Sequence, residues 1–126
     1  MSKSEEIMAL LEALKNRDGR VLACMVAKRG LDGLIMFPPT FMNDVADVWE
    51  PLSKSVDDLL LLVGKYSHFG VARLYLELLG FGVFFLPLPM SDTALVVFAK
   101  GGSPIEESGG IMAEMESTRE SIITAL

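Results

Sequence analysis

A single cysteine, Cys24, excludes an internal disulfide and suits a reducing compartment, with the cytoplasm as the default. Histidine is equally scarce. His68 is the only one, which excludes a multi-histidine metal site and leaves imidazole-based catalysis without a partner nearby in sequence. Positive charge is in deficit: Lys and Arg number 11 against 17 Asp and Glu, a net charge of -6. That field repels phosphate backbones and anionic lipid, so nucleic acid is not an expected partner. Long apolar runs are missing too. The greasiest stretch, residues 80–90, is broken by Pro87 and Pro89 and falls short of the ~20 residues a membrane span needs. The opening MSKSEEIMALLEALK is acidic and amphipathic, unlike a signal peptide. Internal repeats, low-complexity tracts and linkers are absent, and one domain over residues 1–126 is expected.

What remains is a greasy globular composition, 51% hydrophobic and 22% charged. A chain of 126 residues buries roughly 70% of its unfolded surface, enough for one core. Residues 4–15 carry Ile7, Leu10, Leu11 and Leu14 at helical spacing behind the capping signal Ser2 to Glu5, predicting a first helix. Residues 20–28 (RVLACMVAK) and 34–37 (LIMF) are β-prone runs joined by Arg29-Gly30-Leu31-Asp32-Gly33, a hairpin signal. Pro38-Pro39 stops the second run, and Thr40 or Asn43 can cap a second helix by accepting from its free backbone N–H groups. Val45, Val48, Leu52, Val56, Leu59 and Val63 then form one stripe whose phase survives Pro51, predicting one kinked helix rather than two.

Residues 71–79 (VARLYLELL) alternate, with Arg73, Tyr75 and Glu77 on one face and Leu74, Leu76 and Leu78 on the other. Gly80-Phe81-Gly82 reads as a turn into residues 83–88 (VFFLPL), and Ser91-Asp92 leads into residues 93–100 (TALVVFAK). Pro87 belongs near a strand end or a sheet edge. After Gly101-Gly102-Ser103-Pro104 a last amphipathic helix is expected to begin near Ile111 and to carry Met115, Ile122 and Ile123. The order is α-β-β-α-β-β-β-α. Strands one, four and five are apolar on both faces, so the expected fold is a three-layer α/β/α sandwich with a central, mostly antiparallel five-stranded sheet. The second helix should cover one face, and the first and last the other.

The search for chemistry is mostly negative. Cys24 lies mid-strand as a small hydrophobe of high pKa. His68 reads as loop structure or a partner contact. Asp57-Asp58 and Glu106-Glu107 are adjacent in sequence, and helical neighbours diverge by about 100°, so neither pair makes a carboxylate dyad. Solvated faces explain them. Gly101-Gly102-Ser103 lacks the lysine and spacing of a phosphate loop. Arg17, Arg20, Lys28 and Arg29 gather around the ends of the first strand, either as a face for an acidic partner or as solvated hairpin charge. No catalytic residue, cofactor or metal ligand is named.

In residues 25–37 (MVAKRGLDGLIMF), a strand, a basic residue and a Gly-Leu turn lead into a second strand. In residues 73–123, RLYLELLGFGVFFLPLPMSDTALVVFAK and a glycine-containing entry to a terminal helix form a closing half. With the element order, these resemble the roadblock family, named from a dynein light chain, over nearly the full chain. The resemblance implies a dimer in which the second helix and third strand meet their counterparts. It also implies a platform for Ras-like small GTPases, or a motor or membrane scaffold.

The residues agree. Leu59-Leu60-Leu61-Leu62-Val63 is apolar around more of the helix than one sheet face needs, so a second burying partner is expected. Arg73, Tyr75 and Glu77 are spaced for charge-matched pairing with an antiparallel copy. The interface expected is Val56, Leu59, Leu60, Val63, Arg73, Tyr75 and Glu77, engaging the same chain or a paralogue. The function expected is non-catalytic regulation or scaffolding of a Ras-like GTPase. The alternative is a profilin-like or sensor-type domain holding a small molecule between the second helix and the sheet.

Overall fold

The computed structural model of the chain describes residues 2–28, 30, 35–44, 46–65, 73–78, 81–88, 93–100 and 111–125. They form α1 (Lys3–Arg17), β1 (Val21–Lys28), β2 (Ile35–Phe37), α2 (Phe41–Asp44), α3 (Ala46–Lys65), β3 (Leu74–Leu78), β4 (Phe81–Pro87), β5 (Thr93–Lys100) and α4 (Ile111–Ala125). All five strands belong to one antiparallel sheet in the order β2-β1-β5-β4-β3. The expected α/β/α sandwich is present, with α1 and α4 on one face and α2 and α3 on the other.

Strand alternation divides the core in two. Cys24 and Val26 of β1, Phe84 and Leu86 of β4, and Leu95 and Val97 of β5 meet Ile7, Leu11 and Leu14 of α1 and Met115 and Ile122 of α4. On the opposite face Ala23, Met25, Phe85, Val96 and Phe98 meet Phe41 of α2 and Val56 and Leu60 of α3. Phe41 and Phe98 stack tilted, with ring centroids 4.9 Å apart. Burying each such side chain stabilises the fold by about 1.5–3 kcal/mol. Because β1, β4 and β5 are covered on both sides, their sequences run almost continuously apolar.

Local chemistry sets the helix ends. Ser2 caps α1: its Oγ accepts from the Glu5 amide at 3.2 Å and its carbonyl from the Glu6 amide at 3.0 Å. Glu5 and Glu6 in the first turn and Lys15 and Arg17 in the last complement the helix dipole. As expected, one helix runs through Pro51: α3 continues from Ala46 to Lys65, with the short α2 described before it. Pro51 lies in the second turn of α3. It is past the first four amides of the helix, which have no intrahelical partner, so its missing N–H removes one intrahelical bond. Ser53 and Ser55 hydroxyls donate to the carbonyls of Glu50 and Pro51 at 2.9 and 3.0 Å.

The expected glycine turn before β4 is also corrected, because Phe81 and Gly82 are strand residues opposite Leu78 and Glu77. Gly82 is a packing glycine. A Cβ placed there would lie 2.6 Å from the Tyr75 Oη and 2.8 Å from its Cε1, so the tyrosine ring lies across the strand where a side chain would stand. Tyr75 also packs on Phe84, with centroids 4.7 Å apart. Pro87 closes β4, and the Leu88 amide then donates to the Thr93 carbonyl at 3.0 Å. Gly82→Ala is expected to cost about 1–3 kcal/mol by urea denaturation. Tyr75→Leu in the same chain should remove much of that cost, because the clash is with the ring.

Candidate interaction surface

The strand order leaves β3 with β4 on one side and no strand described on the other. Leu74 and Leu76 share the α3 face and are half-buried. Tyr75, on the α4 face, is half-buried, while Arg73, just before the strand, and Glu77 are exposed. Arg73 Nη1 donates to Glu116 Oε1 of α4 at 2.7 Å, tying the start of the edge strand to the helix beneath it. Burial, and then the Glu77 carboxylate, push the Tyr75 hydroxyl above its ordinary pKa.

On the Leu74 and Leu76 face of the sheet, α3 packs over β5. Val56 and Leu60 are 1% and 0% exposed beneath it. They face the chain's own sheet, so the expectation that they take part in a dimer interface is corrected. Val63 lies in α3 with its side chain outside those described. Leu59 and Leu61 are half-buried, and Leu62, 37% exposed, is the one large apolar side chain left open among the described residues. Sequence reasoning saw the leucine run and missed which member it leaves outside. A run of that length wraps the helix, so one member had to be.

Asp57 ties α3 to the neighbouring turn. Its Oδ1 accepts from the Gly30 amide at 2.7 Å, binding the helix to the turn after β1. Gly30 has φ 86°, a left-handed conformation that favours glycine. Asp57 and Leu59 lie about 200° apart on a helix. Leu59 packs half-buried against the core on the α3 face. Asp57, expected as mere solvated charge, is therefore a fastening. Only the tertiary contact reveals it.

The basic residues do not form one face. Arg17 and Arg20 lie before β1 and Lys28 at its far end, roughly 23 Å away for a strand of this length. Arg17 Nη1 pairs with Glu114 Oε1 at 3.2 Å. Arg20 pairs with Asp18 at 2.6 Å, and its hydrogen bonds hold the Asp18 carboxyl below the usual carboxylate range. Arg29, His68, Glu106, Glu107 and Gly101-Gly102-Ser103 lie outside the described residues. A hollow of about 140 Å³ lies between α1 and α4, lined by Ala13, Ser117, Thr118 and Ser121 with the Arg17–Glu114 pair in its wall. It is on the face opposite α3. Under α3, where a small-molecule pocket was the alternative expectation, Phe85 and Phe98 are fully buried among Met25, Val56 and Leu60.

No group of three or more His, Cys, Asp and Glu among the described residues is placed to hold a metal ion. No described helix is long and apolar enough to cross a membrane. Cys24 is fully buried; its thiol donates to the Leu11 carbonyl at 3.1 Å.

A five-stranded antiparallel sheet with α1 and α4 on one face and α2 and α3 on the other defines an α/β domain with a roadblock-like fold. No protein-family model and no curated protein matches the sequence. Among solved structures, Myxococcus xanthus MglB is similar over 96% of this chain and 87% of that one, at 13% identity and a TM-score of 0.65. A Roadblock/LC7 domain from Streptomyces avermitilis is similar over 90% of this chain and 92% of that one, at 19% identity and a TM-score of 0.58. At such identities the likeness is one of fold.

Burial pushes the Cys24 thiol from its ordinary 9.0 up to about 12. Below pH 9.0 both folded and unfolded chains keep this proton; above it the unfolded chain ionises first. Stability is expected to fall as pH rises from 9.0 toward about 12. Denaturation midpoints for the native chain and Cys24→Ala across that range check this, since the variant should lack that share of the slope.

Proposed function

We propose that this chain is a non-catalytic regulatory or scaffold protein, one roadblock-like domain over residues 1–126. It pairs with itself or a paralogue and binds a Ras-like small GTPase in the cytoplasm, modulating that partner's nucleotide state or location. The observation that carries the reading is the β3 edge, with no strand described beyond it and half-buried Leu74 and Leu76 on it, together with Leu62 left exposed on α3. An unpaired edge offers backbone hydrogen bonds, and the leucines beside it offer apolar area. The similarity in fold to MglB and to a Roadblock/LC7 domain supports a surface that works by protein contact. The net charge of -6 favours a protein partner over nucleic acid.

Light scattering is expected to give about twice the 13.7 kDa chain mass. Leu62→Arg should weaken that assembly about ten-fold or more, since it sets a charge among apolar contacts. Pull-down against the host's small GTPases, each loaded with GDP or a GTP analogue, should retain at least one in a nucleotide-dependent manner. A dimer that retains none in either state overturns the GTPase reading.

A further inference from the structure

We infer that the hollow between α1 and α4 is a binding site for a free α-amino acid with a small aliphatic side chain. The two helices line it with matched stripes. Leu10, Ala13, Leu14 and Arg17 of α1 recur at three- and four-residue spacing, so they lie along one side of that helix. Glu114, Ser117, Thr118 and Ser121 of α4 have the same spacing. The Arg17–Glu114 pair at 3.2 Å sets the end of α1 beside the start of α4. One wall is therefore apolar, the other carries hydroxyls, and a cation and an anion stand together at one end.

Size and charge together select the ligand. A hollow of about 140 Å³ is close to the roughly 150 Å³ that admits benzene, so it takes about six to eight non-hydrogen atoms. An anion alone would face the Glu114 carboxylate, and a cation alone the Arg17 guanidinium. An α-amino acid carries both charges on one carbon, close enough together to meet a pair 3.2 Å apart. Its carboxylate accepts from Arg17, which uses only Nη1 on Glu114, and its ammonium donates to the Glu114 oxygen that Arg17 leaves open. A peptide terminus brings one of these charges without the other. The aliphatic side chain lies on the α1 wall, with buried Leu14 as its floor. A second polar observation agrees. Elsewhere the hydroxyls of Ser53, Ser55 and Thr124 turn back onto carbonyls of their own helices. Those of Ser117, Thr118 and Ser121 make no such bond among the described residues and are left to the hollow. The site lies on the sheet face opposite α3 and uses no residue of β3, so it stands whether or not the chain pairs.

Titration of L-valine to about 50 mM into the isotope-labelled full chain tests this by amide-resolved NMR, since so small a ligand is expected to bind with a Kd on the order of 1 mM. The amides of Ala13, Ser117 and Ser121 should shift and saturate, while those of Val56 and Leu60 under α3 stay in place. N-acetyl-L-valine and L-valinamide each keep one charge and should bind at least about ten-fold more weakly. Arg17→Gln and Glu114→Gln change exposed groups and should weaken L-valine by a similar factor. Ser117→Leu keeps both charges but fills the hollow, and should abolish binding; thermal melts report the folding of each variant separately. A native chain that shows no saturable shift with L-valine overturns the site. So does equal binding of the two blocked forms, which marks a contact with one charge only. Binding that survives Ser117→Leu in a folded chain places the ligand outside the hollow and overturns it too.

Discussion

Double-sided burial of β5 is the constraint on which the other features depend. From Ala94 to Ala99 the strand is at most 6% exposed, with Leu95 and Val97 facing α1 and α4, and Val96 and Phe98 facing α2 and α3. A backbone so far from water has its amides and carbonyls met by strands on both sides, here β1 and β4. Its side chains call for a helical layer on each face. The outermost strands then lie where cover is thinnest, so the half-buried surface at β3 is a by-product of how the centre is built.

Electrostatics position parts of this frame more than they stabilise it. Arg17–Glu114 and Arg73–Glu116 reach α4 from α1 and from the edge strand, with all four side chains substantially exposed. Such pairs are worth about 0.2–1 kcal/mol each. Their geometric consequence is larger, because they hold the same helix from two directions while Met115 and Ile122 anchor it from below. The Asp57 bond to Gly30 likewise ties α3 to the turn after β1.

Where one periodicity and one layer decided the outcome, the sequence was sufficient. Thr93–Lys100 and the helix described over Ile111–Ala125 agree with the pattern, and the division of helices between the faces follows from strands apolar on both sides. Errors arose where a residue had two possible uses. Gly82 looked like a turn glycine, but the ring that occupies its missing side chain comes from another strand. Val56 and Leu60 looked available for a partner because a leucine run alone does not say which face meets the sheet. The partners of Arg17, Arg73 and Asp57 are 97, 43 and 27 residues away, beyond the reach of local spacing.

The two margins of the sheet are unequal. At one, the described residues of β2, Ile35–Phe37, run directly into Pro38-Pro39, which can donate no ladder bond. At the other, β3 offers five residues. A sheet open on both margins can add neighbours indefinitely and grow into a fibre. Pro38-Pro39 at the end of β2 restricts such growth at that margin, since an incoming strand finds no backbone donor there.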